Sequence, residues 1–251
     1  MFFYRVLIYL LSFTAGPPLP EQPLRVAVAA NAQFVAQKIK EAYEKETRQK
    51  VALIFSSSGK LTTQIKQGAP FDVFLSADTQ YPETLQQAGL LESPPRVYAY
   101  GSLILWTNKK LNLTPGMKIV LHPSVKRIAI ANPDLAPYGK AALQALAYYK
   151  LDKAVQPKLI FAESVAQVNQ YVLSGAADLG FTAQAVVLEP AMQNKGKWFA
   201  PAAASYPRIG QSAVLLKAAR KRKPVQARQF YNFLYGPQAK FIFKKYGYQT
   251  S

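Results

Sequence analysis

LRVAVAAN (residues 24–31) opens the part of this 251-residue chain that decides its fold. Its apolar residues predict a buried strand, Asn31 is placed to cap the next helix, and apolar residues recur at helical spacing from Phe34. Val51–Phe55 and Phe71–Leu75 predict two more strands, each followed by a helix. Successive strand and helix units favour an α/β fold with mostly parallel sheets covered by helices.

Two β-prone runs divide the chain into two predicted lobes. Tyr98–Trp106 is long enough to leave one sheet and enter another, and Gln211–Leu216 is interpreted as the return crossing. Between them lies a second set of units, with strands predicted at Arg127–Ile130, Lys158–Phe161 and Asp178–Thr182. The chain is long enough for two lobes of roughly 100 residues each. The predicted lobes are residues 22–103 with 212–251, and residues 104–211.

The N-terminus has the layout of a secretory signal peptide. Arg5 precedes an apolar run over Val6–Phe13, and small residues and prolines follow it. This run is shorter than the about 20 residues that a membrane-spanning helix needs. We therefore predict a leader at residues 1–21, with cleavage near Ala15. The chain has no cysteine, so it has neither disulfides nor a lipid anchor at the cleavage point, which favours a free soluble protein in the periplasm.

The charge of the chain favours an anionic ligand. Against 31 Lys and Arg residues stand 13 Asp and Glu residues, for a net charge of +18. A field of this sign raises the local concentration of anions and speeds their arrival. Nucleic-acid binding is the alternative that such a charge suggests. The basic residues are mostly spread singly, however, and the one dense cluster, Lys217 with Arg220–Lys223, is interpreted as solvated surface in a predicted loop. We therefore predict no nucleic-acid partner.

The residues needed for catalysis are scarce. His122 is the only histidine, lies in a predicted loop and has no carboxylate nearby in sequence. A Ser-His-acid triad or a histidine or cysteine metal cluster is hard to build from this set, and no nucleotide-binding glycine motif occurs. Asp72 is interpreted as structural, and Asp78 as a cap or hinge partner. The sequence predicts a binding protein with no catalytic residues, and a secreted hydrolase or transferase is the alternative from another class.

The loops that follow the predicted strands carry the candidate site. In α/β sheets, ligands bind at the carboxyl ends of the strands, where the next helix begins. Helix N-termini present unpaired N–H groups and about half a positive charge, so several that converge form an anion site. A serine turn alone is also common turn and cap chemistry. The candidate loops are Ala30-Asn31, Ser57-Ser58-Gly59, Ser76-Ala77-Asp78, Ala136-Pro137-Tyr138 and Glu163-Ser164-Val165.

Four segments resemble the periplasmic molybdate-binding proteins of molybdate ABC importers. They are Leu24–Asn31, Phe55–Leu61, Gly68–Asp78 and Tyr235–Tyr248, and the resemblance spans residues 24–248. It implies a two-lobed type II periplasmic-binding-protein fold with two hinge crossings and with molybdate, or tungstate, in the cleft between the lobes. It also implies a monomer with ABC permease subunits as partners, with no cofactor and with molybdenum bound only as the oxyanion.

The resemblance also implies which residues hold the oxyanion, mainly through backbone N–H groups at helix starts. These are Ala30, Asn31, Ser58, Tyr138 and Val165, with Ser57 as the alternative neighbour of Ser58. Two positions depart from the family: residues 181–183 lack a tyrosine that some members have, and Asn31 stands where others have serine. Tyr138 or Asn31 is expected to compensate for that missing side-chain donor. A receptor for sulfate, thiosulfate or phosphate is the alternative within the same fold.

Overall fold

A computed structural model of the chain describes residues 22–250, so the leader predicted at residues 1–21 lies outside the described residues. The described residues form two five-stranded sheets flanked by helices. Among residues 22–250, no helix has both the length and the apolar character that crossing a bilayer requires.

Strands and α-helices alternate through much of residues 22–250. The strands are β1 (Leu24–Ala29), β2 (Val51–Ser56), β3 (Val73–Ser76), β4 (Arg96–Gly101), β5 (Leu103–Thr107), β6 (Ile128–Ala131), β7 (Leu159–Ala162), β8 (Leu179–Ala183), β9 (Lys197–Phe199) and β10 (Ile209–Leu215). The helices are α1 (Gln33–Thr47), α2 (Ser58–Lys66), α3 (Gln80–Gln87), α4 (Pro137–Tyr148), α5 (Asp152–Val155), α6 (Val165–Leu173), α7 (Gln184–Val187), α8 (Ala219–Arg222), α9 (Pro224–Phe233) and α10 (Pro237–Lys245).

The two sheets share one plan. The first has the strand order β2-β1-β3-β10-β4 and the second has the order β7-β6-β8-β5-β9. In each sheet the first three strands pair in parallel, and these strands come from the predicted strand and helix units. The remaining pairings are antiparallel and involve β10 with β3 and β4, and β5 with β8 and β9. The sheets are therefore mixed, with their parallel halves ending at the loops that carry the candidate site.

The chain changes sheets twice, and one of the two predicted crossings is wrong. β4 belongs to the first sheet and β5 to the second, so the first change falls at Ser102, inside the predicted run. The whole of β10 lies in the first sheet, so Gln211–Leu216 does not cross. The return lies between Phe199 and Ile209, before the predicted lobe bound. Most of β10 is buried, so its apolar pattern matches that of a crossing strand. The exact lobe bounds stay a prediction.

Asp72 is structural, as predicted. Its fully buried carboxylate accepts the backbone N–H of Arg25 at 2.8 Å and the Nε–H of Arg222 at 3.3 Å. Arg222 belongs to the basic cluster, which was predicted as a solvated loop. The structure corrects the loop, because residues 219–222 form the helix α8, whereas Lys217, Arg220 and Lys221 are exposed as predicted. Arg220 also pairs with Glu92 at 2.5 Å. Part of the cluster therefore holds the first lobe together.

Candidate functional site

The loops at the carboxyl ends of the parallel strands meet at one pocket between the two sheets. The centre of a water-sized sphere can move through about 10 Å³ of this pocket. This is below the about 300–1,000 Å³ that sites for drug-sized ligands occupy, so the pocket suits a small ion. It is lined by Ala29, Ala30, Asn31, Ser57, Ser58, Ala77, Ala136, Pro137, Tyr138 and Val165. All six residues that the sequence singled out are thus brought together, and none of the lining residues carries a charge.

Helix N-termini surround the pocket from both lobes. α2, α4 and α6 begin at Ser58, Pro137 and Val165, and a 3-10 turn over Ala30–Ala32 leads into α1. N–H groups in the first turn of a helix have no acceptor within the helix. None of these four α-helices has an acidic residue in its first turn, so their dipoles are not compensated there. The pocket therefore presents unpaired N–H groups and partial positive charge to an anion.

The two adjacent serines have different roles. Ser57 is the N-cap of α2, and its Oγ accepts the N–H of Lys60 at 3.4 Å. Ser58 is 1% exposed, and its Oγ accepts the N–H of Ala77 at 3.1 Å. Among the described residues, neither hydroxyl donates a hydrogen bond. Ser57 therefore stabilises the start of α2, whereas the Ser58 side chain joins the first residue of α2 to the loop after β3.

Asn31 is anchored to the first sheet and caps no helix, which corrects the sequence prediction. α1 begins only at Gln33, after the 3-10 turn, and has no side-chain cap. The Asn31 amide donates to Gln211 Oε1 at 2.7 Å and to the Tyr248 hydroxyl at 3.4 Å. The Gln211 amide in turn donates to the carbonyl oxygens of Ala77 and Ile209 at 3.3 and 3.1 Å. The Asn31 side chain therefore ties the loop after β1 to β10 and to the C-terminal segment.

Tyr138 lies at the start of α4 and points its side chain toward the hinge. It is 1% exposed, its hydroxyl packs against Gly101, and this hydroxyl has no hydrogen-bond partner among the described residues. Burial raises the pKa of Tyr138 well above its usual value, and nearby tyrosines add to the rise. The phenol is therefore neutral at physiological pH. The structure does not show its hydroxyl replacing the missing side-chain donor of the family.

Val165 is the first residue of α6 and follows a serine N-cap. Ser164 is the N-cap, and its Oγ accepts the N–H of Gln167 at 3.4 Å, which leaves the Val165 N–H free of that cap. The family departure at residues 181–183 lies in β8, where the Thr182 hydroxyl donates to Asn169 Oδ1 at 2.6 Å. The Thr182 hydroxyl is thus bonded within the second lobe. Val165 is the residue after β7 that lines the pocket.

Four contacts cross the cleft close to the pocket and hold the lobes together. Two join α2 to the second lobe, and two join the region of α3 to it. They are the Lys60–Glu163 ion pair at 2.6 Å, the Gly59 N–H bond to the Leu135 carbonyl at 2.9 Å, the Tyr81 hydroxyl bond to the Asp134 carbonyl at 2.7 Å and the Lys140 bond to Gln80 Oε1 at 3.0 Å. The structure therefore shows the lobes closed around the pocket.

The two remaining residues that the sequence analysis discussed lie outside the pocket lining. Asp78 Oδ1 accepts the N–H of Tyr81 in the first turn of α3 at 3.2 Å, which agrees with a cap. Its carbonyl accepts the Ser212 hydroxyl of β10, which belongs to the same lobe, so this contact gives no support to a hinge role. His122 is exposed, and its Nδ1 lies 2.7 Å from the Ser124 hydroxyl. Within residues 22–250, no three His, Cys, Asp or Glu side chains cluster as metal ligands would.

Sequence reasoning missed the residues that support the pocket from behind. Gln211 and Tyr248 hold Asn31, and Gly101 makes room for Tyr138. Gln211 lies within the run that was predicted to be a crossing, and Tyr248 lies 217 residues after Asn31. No local pattern marks these residues, because their role depends on which strands become neighbours.

Comparisons with known proteins agree with this architecture. Residues 24–249 match the family of bacterial extracellular solute-binding proteins. The molybdate-binding protein ModA of Azotobacter vinelandii is 37% identical over 226 residues, which cover 90% of this chain and 89% of that protein. ModA of Rhodobacter capsulatus is 34% identical over 96% of this chain and 94% of its own length.

Solved structures give the same result. The periplasmic molybdate-binding protein of Azotobacter vinelandii superimposes with a TM-score of 0.86 at 35% identity, covering 91% of this chain and 99% of that one. The sulfate-binding protein SubI of Mycobacterium tuberculosis, at 14% identity and a TM-score of 0.74, covers 92% of this chain and 87% of its own and shares the fold alone. The chain therefore belongs to the family of bacterial extracellular solute-binding proteins, together with the molybdate-binding proteins ModA.

Proposed function

We propose that this protein is the molybdate receptor of an ABC importer. It captures molybdate, and tungstate with it, in the pocket between its lobes and delivers the oxyanion to the permease subunits. The observation that carries the proposal is an uncharged pocket lined by the starts of three helices, in a chain that is 37% identical to a molybdate-binding protein.

The chemistry of the pocket fits a dianion. Fixed N–H and O–H dipoles stabilise negative charge in a site that excludes water. A buried cation would add a second desolvation penalty and would hold the ligand too strongly for release. In the proposed complex the backbone N–H groups of Ala30, Asn31, Ser58, Tyr138 and Val165 donate to the oxyanion, and the Ser58 hydroxyl donates as well.

The same lining disfavours one of the alternative oxyanions. Hydrogenphosphate carries a P–OH group, and burying that donor without an acceptor destabilises the complex. No carboxylate is among the ten residues that line the pocket. Sulfate and thiosulfate share the charge and the tetrahedral shape of molybdate, so discrimination against them rests on the size of the cavity. Tungstate is almost the same size as molybdate and binds in the same way.

Closure of the lobes links binding to transport. A ligand that contacts both lobes stabilises the closed form, and that form is the one presented to the permease. We infer that the protein works in the periplasm as a monomer, without a cofactor and without catalysis. The relatives in the solute-binding protein family support this inference, as does a pocket lining without His, Cys, Asp, Glu or Lys.

Thermal unfolding of the mature protein tests the proposal. A ligand that binds only the folded state raises stability by about 2.7 kcal/mol at a concentration of 100 Kd. We expect molybdate and tungstate, added separately, to raise the Tm, and sulfate and phosphate to have no effect at the same concentration and ionic strength. A rise with sulfate or phosphate alone would reassign the substrate. No rise with any of the four would overturn the oxyanion function.

A further inference from the structure

Lys60 and Glu163 face each other across the mouth of the pocket. The Lys60 ammonium lies 2.6 Å from Glu163 Oε2, and the two side chains are 45% and 47% exposed. Lys60 is two residues after Ser58 in α2, and Glu163 is two residues before Val165. Each member of the pair thus comes from a loop or helix start that lines the pocket, and the two belong to different lobes.

The position of Lys60 is unfavourable for its own helix. A cation in the first turn of a helix is repelled by the positive end of the dipole. Glu163, in contrast, directly precedes the cap of α6, where negative charge is favourable. Its backbone N–H donates to Gln167 Oε1 at 2.6 Å, which fixes the place of Glu163 at the rim. The pairing across the cleft, and not helix stability, therefore accounts for a lysine at residue 60.

The other contacts across the cleft differ from this pair in kind. Gly59 and Tyr81 donate to backbone carbonyls, and Lys140 donates to the neutral amide of Gln80. None of these three bonds joins a cation to a carboxylate. Formation of the Lys60–Glu163 pair, in contrast, neutralises a positive charge beside the entrance to an anion site.

We propose that Lys60 is a switched cation at the mouth of the pocket. In the open form its charge is unpaired and draws the incoming dianion toward the helix starts. When the lobes close, Glu163 neutralises Lys60, and the pair slows reopening and release. This inference rests on the proposed function of the pocket, and it assigns two positioning residues that control the rates of capture and release without holding the oxyanion.

The expected effects are modest because the pair is partly exposed. Exposed ion pairs contribute little to stability. Loss of one such pair corresponds to a change of about twofold to fivefold in a rate constant. The charge of Lys60 acts mainly on the association rate and is screened by salt. The pair acts on the dissociation rate. The two residues therefore give different kinetic signatures when each is removed.

Stopped-flow kinetics with molybdate tests the switch. Lys60→Met should release molybdate about two to five times faster and, at low salt, bind it more slowly. Glu163→Gln should release it faster by a similar factor without binding it more slowly. The double variant should release no faster than either single variant, because the pair is already broken. Lys60→Glu with Glu163→Lys restores a pair and should restore slow release.

Lys66→Met is the matched control, since Lys66 is exposed at the other end of α2. It removes the same charge and should leave the release rate unchanged. Equal effects of Lys66→Met and Lys60→Met on both rates would overturn the switch, as would independent effects of Lys60→Met and Glu163→Gln on release. If the wild-type protein fails to bind molybdate, the proposed function is wrong. If it binds molybdate but Lys60→Met and Glu163→Gln act independently on release, only the switch is wrong.

Discussion

The hydroxyl group of Tyr138 occupies the space that a Cβ atom at Gly101 would need. Tyr138 belongs to α4 of the second lobe, and Gly101 ends β4 of the first sheet, one residue before the chain changes sheets. Gly101 is thus the place where the second lobe packs against the hinge. The closed arrangement of the lobes depends on the absence of a side chain at this residue.

Gly101→Ala should therefore weaken ligand binding while the fold is kept. The added methyl group forces Tyr138 away or holds the lobes apart, and overpacking of this kind costs about 1–3 kcal/mol. We expect the Kd for molybdate to rise by about 5- to 150-fold. Calorimetric titration measures the Kd, and circular dichroism checks the fold. A variant that binds like the wild type would show that this contact does not limit closure.

Tyr138→Phe should rescue Gly101→Ala. Without the hydroxyl, the nearest ring atom, Cζ, lies 3.3 Å from the position that the added carbon would take, which small shifts accommodate. The hydroxyl has no partner among the described residues, so its removal alone should not lower stability. Tyr138→Phe alone should also keep its affinity, because the backbone N–H is the proposed donor. Loss of affinity in this single variant would instead place the hydroxyl on the ligand.

Substitutions of the two adjacent serines should change different quantities. Ser58→Ala should change the affinity, and Ser57→Ala should change the stability. Ser58→Ala removes a donor to a charged ligand, which is worth about 1.5–3 kcal/mol, so the Kd should rise by about 10- to 150-fold. Ser57→Ala removes the cap of α2 and should lower the free energy of unfolding by about 1 kcal/mol with little change in Kd. Titration and denaturant unfolding of both variants measure the two quantities. The reverse pattern would show that Ser57 is the ligand residue.

Asn31→Asp should weaken molybdate binding more than Asn31→Ala does. Asn31 is 2% exposed and lines the pocket, so a carboxylate there places like charge beside the dianion with little solvent screening. Both variants lose the amide bond to Gln211, and only the aspartate adds repulsion. We expect a further loss of at least about tenfold in affinity, or about 1.4 kcal/mol, in titrations at about pH 8. Equal Kd values for the two variants would place the residue 31 side chain away from the ligand.

Affinity for molybdate should be independent of pH between about pH 6 and about pH 9. The one ionisable side chain in the pocket lining is Tyr138, whose pKa burial raises well above its usual value. Its hydroxyl therefore stays protonated throughout this range and neither gains nor loses charge. Titrations at constant ionic strength check the prediction. A step in affinity near neutral pH would reveal an ionisable group at the site.

Local sequence patterns predicted the strand and helix units well and the crossings only in part. The apolar run and the helical spacing after Leu24 depend on residues that are close in sequence, so the sequence alone predicts these elements. β10 was misinterpreted because a central strand buried between β3 and β4 has the same apolar pattern as a strand that crosses. Asn31 was assigned as a cap because the 3-10 turn before α1 leaves no mark in the sequence.

The sequence predicts the site residues only where they lie at helix starts. Ser58 and Val165 lie in turns between a strand and a helix, and the structure brings both to the pocket. Gln211 and Tyr248 reach Asn31 because β10 and the C-terminal segment pack beside β4, where Tyr100 exchanges backbone hydrogen bonds with Gln249. Contacts of this kind depend on strand order, which one sequence does not specify.

Calorimetric titration of the mature protein with molybdate tests the central claim most directly. The proposal predicts one site per chain, full competition by tungstate, and no competition by sulfate at the same concentration. The absence of binding heat together with an unchanged Tm, or displacement of molybdate by equimolar sulfate, would contradict a molybdate receptor.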